Sequence, residues 1–294
     1  MKWGIMMKKL LSILLAAAMA VSFAACDNTA TSTSAAQSTA NTQSAPADES
    51  WNNVEKAGKL VLGLDNSFPP MGFVDPKTGE LVGFDIDVAK EACKRLKIEL
   101  QTQPIDWENK TAELNNGNID CLWNGFSKTA ERDKEFNLSI PYMKNEQIIL
   151  IKTDAPYKSL ADLGGKTIGV QSDSSAEAAL NSNDAFKKTL KSVVQIDNYS
   201  KAVLELQNGT IDAIAIDEVV ARYYLTNNPN AYKVLQDSGK DASLATEDYV
   251  IGFRKADNAL KVKIEGVLKE MAADGTLTTI SKKWFDKDVN TVGK

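Results

Sequence analysis

The 294-residue sequence contains no histidine. This removes the commonest general base and the commonest metal ligand, and counts against an enzyme or a transition-metal centre. Cysteine is scarce as well, with three in the chain. No run of lysine or arginine stands out against a formal net charge of -5, so nucleic acid is not an expected partner. The GGKT at 164–167 is no phosphate loop, because position 160, where such a motif needs glycine, is leucine. Neither a metal nor a cofactor is expected. What is present is ordinary for a folded α/β protein: 43% apolar and 25% charged residues, in a length that accommodates two domains with real cores.

The first residues carry Lys2, Lys8 and Lys9, then an apolar stretch from Leu10 and small residues ending at Cys26. This reads as a secretory signal over 1–25, too short for a mature membrane span. Phe23-Ala24-Ala25-Cys26 resembles the lipobox of bacterial lipoproteins, in which the cysteine is lipidated and becomes the new N-terminus. Residues 26–50 hold no aromatic or large aliphatic side chain through Ser50, and read as a disordered tether. Loss of the leader takes three lysines and moves the formal charge from -5 to -8. The two remaining thiols, Cys93 in an amphipathic stretch and Cys121 in an apolar one, either pair or remain buried and free.

From Trp51 onward short apolar runs alternate with helical periodicity, the grammar of parallel-type α/β sheets with crossover helices. A weak repeat runs through this body. ELNNGNID at 113–120 matches ELQNGTID at 205–212, and KLVLGLD from Lys59 loosely matches KTIGVQS from Lys166, with a one-residue offset that sets Gly63 opposite Gly169 and Asp65 opposite Gln171. Two similar lobes are implied, around 60–140 and 147–217. In such sheets ligands gather at the carboxyl ends of strands, which places Asn124 and Gly125 of one lobe opposite Ile216 and Asp217 of the other.

The polar groups at those ends are the candidates. Arg132 follows the strand end in NGFSKTAERDKEF; its planar fork suits a carboxylate, and it also suits a solvated charged helix. Ser174 and Glu177 form a capping box, leaving the amide of Ser175 available to an anion. Asp217 either binds a cation or caps the helix after it. Phe68, before two prolines, and Trp107 are either core or aromatic walls of a site.

In their order, the segments GLDNSFPPMGFVD, NGNIDCLWNGFSKTAERDKEFNLSIPY, DLGGKTIGVQSDSS and NGTIDAIAIDE resemble the extracellular solute-binding proteins of family 3, from about Trp51 to Asp288. The resemblance implies a two-lobed periplasmic-binding-protein type II fold with a ligand cleft between lobes and hinge crossings near 144–147 and 241–249. Lobe 1 would comprise 51–143 with 249–288, including the C-terminal helices, and lobe 2 would comprise 144–248. The implied function is extracytoplasmic binding of a polar L-amino acid, arginine- or lysine-like or glutamine-like, by a monomer anchored to a bacterial membrane through Cys26, for delivery to an ABC permease. Arg132 and the Ser175 amide would hold the α-carboxylate, and Asp217, Ser127 and the Gly125 carbonyl the α-ammonium. Phe68 and Trp107 would sandwich the side chain, with Asp65 reading its tip and Asn124 and Gln171 beside them. Asn124 and Gly125 stand where the family often carries hydroxyl residues, so no side-chain bond is expected from 125. The alternative is an exported enzyme on the same fold, similar to cyclohexadienyl dehydratases, which bind a substrate carboxylate with a similar arginine.

Overall fold

The alternating segments assemble into one long sheet whose two wings are parallel and whose middle is antiparallel. The computed structural model describes residues 47–294. The stretch read as a signal, Cys26 and the stretch read as a tether as far as residue 46 lie outside the described residues. Across the sheet the strands run Ser192–Ile196, Thr167–Gln171, Ala213–Asp217, Met143–Lys152, Ser243–Phe253, Cys121–Ser127, Lys59–Leu64 and Glu99–Pro104. Lys59–Leu64 pairs parallel with Glu99–Pro104 and Cys121–Ser127. Thr167–Gln171 pairs parallel with Ser192–Ile196 and Ala213–Asp217. Parallel neighbours need long crossovers, and the helices between them supply these.

The two halves join through long strands that pair antiparallel, Thr246 with Glu146 and Tyr249 with Met143. Met143–Lys152 continues into the second half beside Ala213–Asp217, and Ser243–Phe253 returns to the first beside Cys121–Ser127. The chain therefore crosses between the two halves twice, through Met143–Lys152 and Ser243–Phe253. After the second crossing, helix Asn258–Ala273 buries Leu260, Ile264, Leu268 and Met271 and packs on helices Ser50–Ala57 and Phe84–Leu96 of the first lobe.

The internal repeat has a physical basis. The amide of Val61 donates to Asp120 at 2.8 Å and that of Thr167 to Asp212 at 2.9 Å, the same bond at equivalent places. A methyl group on Gly63 would lie 2.4 Å from Ile119 Cδ1, and one on Gly169 2.5 Å from Ile211 Cδ1. In both lobes the isoleucine two residues before one strand fills the space the neighbouring strand's glycine leaves, so alanine at either glycine overpacks the core at a cost of about 1–3 kcal/mol.

Residues 47–50 of the stretch read as tether lie within the described residues and are held by hydrogen bonds. Asp48 accepts from the amides of Ser50 and Ala259, and Ser50 Oγ accepts from the Leu260 amide at 3.0 Å. Free N–H groups at the start of the 258–273 helix hold these polar residues although they bury no apolar surface. Cys93 and Cys121 are both buried and unpaired, and burial pushes the Cys93 thiol up to about 12.

Candidate functional site

Strand Cys121–Ser127 is buried at every residue, as is Ala213–Asp217, so the chain leaves each strand at the cleft only where the hydrophobic runs end. There Phe68, Trp107, Asn124, Gly125 and Arg132 of one lobe meet Gln171, Ser174, Ser175 and Asp217 of the other around one pocket. Eight of the ten residues expected to touch ligand are among them. The other two, Asp65 and Ser127, stand directly behind.

The pocket is narrow because the two lobes touch across it. Gln171 Nε2 donates to Asp65 Oδ2 at 2.7 Å, and Ser175 Oγ to Ser127 Oγ at 3.1 Å. Phe68 faces Tyr199 with ring centroids 5.7 Å apart, while Trp107 packs edge-on to Phe126 at 5.9 Å. Tyr199, absent from the residues expected from sequence, is thus the aromatic neighbour of Phe68. Gly125 has φ +57, and a Cβ there would stand 2.9 Å from Phe68 Cε1, so glycine is required for conformation and for space. Its amide donates to Asp85 at 2.7 Å.

Arg132 is 8% exposed, so the solvated-helix alternative does not hold. Its guanidinium lies 4.3 Å from the centroid of Phe126, donates to the Ser127 carbonyl at 2.9 Å and reaches the Asp173 carbonyl at 3.4 Å. Both partners are neutral. Among the described residues it makes no ion pair, although burial lowers its pKa from the ordinary arginine value. Lys110, 2% exposed, donates from the same lobe to the carbonyls of Trp107 and Asp173 at 3.2 and 3.1 Å and pairs with the Asp173 carboxylate. Asp173 has φ +53 and precedes helix Ser175–Ser182, whose Ser174 cap accepts from the Glu177 amide at 3.1 Å. The serine arm of the capping box forms, while Glu177 accepts from the amide of Asp173 at 2.7 Å rather than from that of Ser174. Lys110 had no signal beyond an ordinary helix charge.

Asp217 precedes helix Glu218–Asn227 but makes no side-chain cap. Its Oδ1 accepts instead from Asn145 Nδ2 at 2.7 Å, Gln147 Nε2 at 2.8 Å and the Tyr249 hydroxyl at 2.7 Å, all on the hinge strands. Burial, reinforced by the negative charge of Glu247, raises its pKa to about 7. Burial likewise raises Asp85 to about 7 and raises Asp65. Sequence reasoning missed Asn145, Gln147, Glu247 and Tyr249. Their only local signal is polar residues inside otherwise strand-like runs.

Among the described residues no cluster of three His, Cys, Asp or Glu side chains is set to hold a metal. The geometry offers a buried guanidinium across from a buried carboxylate, with aromatic faces and an acid–amide pair between them. It is suited to a small molecule that carries both charges.

The chain is similar to characterised proteins over most of its length. The L-cystine-binding protein TcyA of Bacillus subtilis is 31% identical over 242 residues, covering 82% of this chain and 86% of that protein. The ABC transporter arginine-binding protein 1 of Escherichia coli is 31% identical over 229 residues, covering 78% and 91%. The crystal structure of an ABC uptake transporter substrate binding protein from Streptococcus pneumoniae with bound histidine superimposes with a TM-score of 0.78 at 37% identity, covering 83% of this chain and 98% of that one. Residues 60–287 match the bacterial extracellular solute-binding proteins, family 3, and the chain belongs to that family.

Proposed function

We propose that the cleft binds the backbone of a polar L-amino acid, with Arg132 and the Ser175 amide on the α-carboxylate and Asp217, Ser127 and the Gly125 carbonyl on the α-ammonium. The observation that carries this reading is Arg132: a buried guanidinium bonded only to carbonyls, lining the same pocket as the carboxylate of Asp217. A bidentate carboxylate satisfies it better than two carbonyls do. The chain serves as the substrate-binding component of an ABC importer, a role its family and relatives support. Lobe 1 spans 51–143 with 249–288 and lobe 2 spans 144–248, and the protein works as a monomer held to the outer face of the membrane by lipid on Cys26.

Phe68 and Trp107 line the side-chain end, with Asp65 and Gln171 at its tip. A carboxylate beside aromatic faces favours a cationic side chain, while the amide of Gln171 and Asn124 suit a glutamine-like end. A thermal-shift screen of the twenty amino acids on residues 45–294 tests this. Stabilisation by arginine or lysine, or by glutamine, supports it, and stabilisation by none rejects it. The protein is read as a binder rather than an enzyme, and incubation with prephenate or arogenate followed by a search for product separates the two.

A further inference from the structure

Glu247 lies on the second hinge strand, Ser243–Phe253. Its Oε2 accepts from Ser127 Oγ at 2.6 Å and from Gln147 Nε2 at 2.8 Å. Ser175 Oγ stands 3.1 Å from Ser127 Oγ, and Gln147 Nε2 stands 3.1 Å from Ser175 Oγ. Four side chains thus close a ring, one from each lobe and one from each hinge strand.

The ring has a fixed direction. An ionised carboxylate only accepts, so the single proton of Ser127 points at Glu247. Ser127 then accepts from Ser175, whose own proton is used in turn, and Ser175 can only accept from Gln147, whose two amide protons are divided among Ser175, Glu247 and Asp217. Both hydroxyls are left with lone pairs and no proton to offer the pocket. The amide oxygens of Gln147 and Asn145, side chains 0% and 2% exposed, are buried without a partner, which adds to the excess of acceptors around Asp217.

Resting on the site reading above, we propose that Glu247 is a positioning residue for the ammonium end of the ligand. As the terminal acceptor of the ring it makes Ser127 and Ser175 acceptors toward a cation. Since the ring draws on both lobes and both hinge strands, that polarity is complete only when the lobes are together.

Calorimetry tests the idea with L-arginine beside its des-amino analogue 5-guanidinopentanoate, and L-glutamine beside 4-carbamoylbutanoate. Glu247→Ala is expected to weaken the amino acid roughly tenfold and its des-amino partner less than twofold. Glu247→Gln is expected to recover most of that loss, because its carbonyl oxygen takes the same proton. In a Ser127→Ala background, Glu247→Ala adds no further loss, which keeps the test open if the single variant melts early. Equal losses for both members of a pair, or no recovery by glutamine, overturns the role of Glu247 while leaving the site reading intact. A parent protein that binds neither amino acid, or does not distinguish it from its des-amino partner, overturns the site reading and this inference with it.

Discussion

Asp65 and Gln171 occupy equivalent positions in the two lobes, and their side chains meet across the cleft at 2.7 Å. An internal repeat has thereby placed a carboxylate from one copy against an amide from the other at the far end of the site. Asp65 also holds the Ser67 amide at 2.8 Å, so one oxygen shapes the turn and the other faces the opposite lobe.

Asp65→Asn keeps shape and hydrogen bonding while removing the charge. If the side chain recognised is cationic, arginine loses at least about 1.5 kcal/mol of affinity and glutamine is nearly unaffected. Measuring both ligands on both proteins cancels folding and lobe closure. Equal losses mean that Asp65 only supports the turn, and the cationic preference is abandoned.

At the backbone end, Arg132→Ala or Asp217→Ala leaves one ligand charge desolvated and unpaired. The cost is on the order of 2–5 kcal/mol, which is some thirty- to several-thousand-fold in Kd. Near-parent binding by either folded variant in calorimetry would mean that the site lies elsewhere.

The buried acids predict opposite pH trends for stability and binding. Asp85 and Asp217 both have pKa values raised by burial from 3.8 to about 7. Between about pH 4 and 7 the folded state therefore holds more protons than the unfolded chain, and stability falls as pH rises through that window. Affinity for an ammonium requires ionised Asp217, so Kd rises as pH drops below about 7. Melting curves of the ligand-free protein from pH 4 to 8 should show the first trend, flattened in Asp85→Asn, where the amide oxygen still accepts from the Gly125 amide. An unchanged slope in that variant removes Asp85 from the account.

Lys110 bridges the lobes through Asp173, whose carbonyl it shares with Arg132. Lys110→Gln is expected to speed ligand dissociation roughly tenfold with little change in association rate, since the contact exists only across the closed cleft. Stopped-flow traces in which association slows instead would assign Lys110 to ligand capture rather than closure.

For the membrane anchor, Cys26→Ala should release the protein from the membrane fraction or leave its leader uncleaved. Membrane association identical to that of the parent would argue against lipid on this residue.

Much of this architecture was legible locally. Alternating strands and helices, glycines at helix ends and the repeat of ELxNGxID required only periodicity and turn chemistry, which act within a few residues. Asp217 stood out because an apolar run that stops at a charged group marks a strand end, where α/β sheets bind ligands, and Arg132 because it follows such an end within five residues.

Which partners those groups take was decided by sheet order. Asp217 read equally well as a helix cap until the hinge strands brought Asn145, Gln147 and Tyr249, 72, 70 and 32 residues away, onto one of its oxygens. Glu247 and Lys110 look like surface charges in their own segments and become part of the site only when Ser127, 120 residues from Glu247, and Asp173, 63 residues from Lys110, arrive beside them. Burial of a polar side chain depends on what packs over it, and no local pattern encodes a neighbour that distant. Local chemistry thus determined the elements and the strand ends, and the crossing of two hinge strands determined which charges face one another.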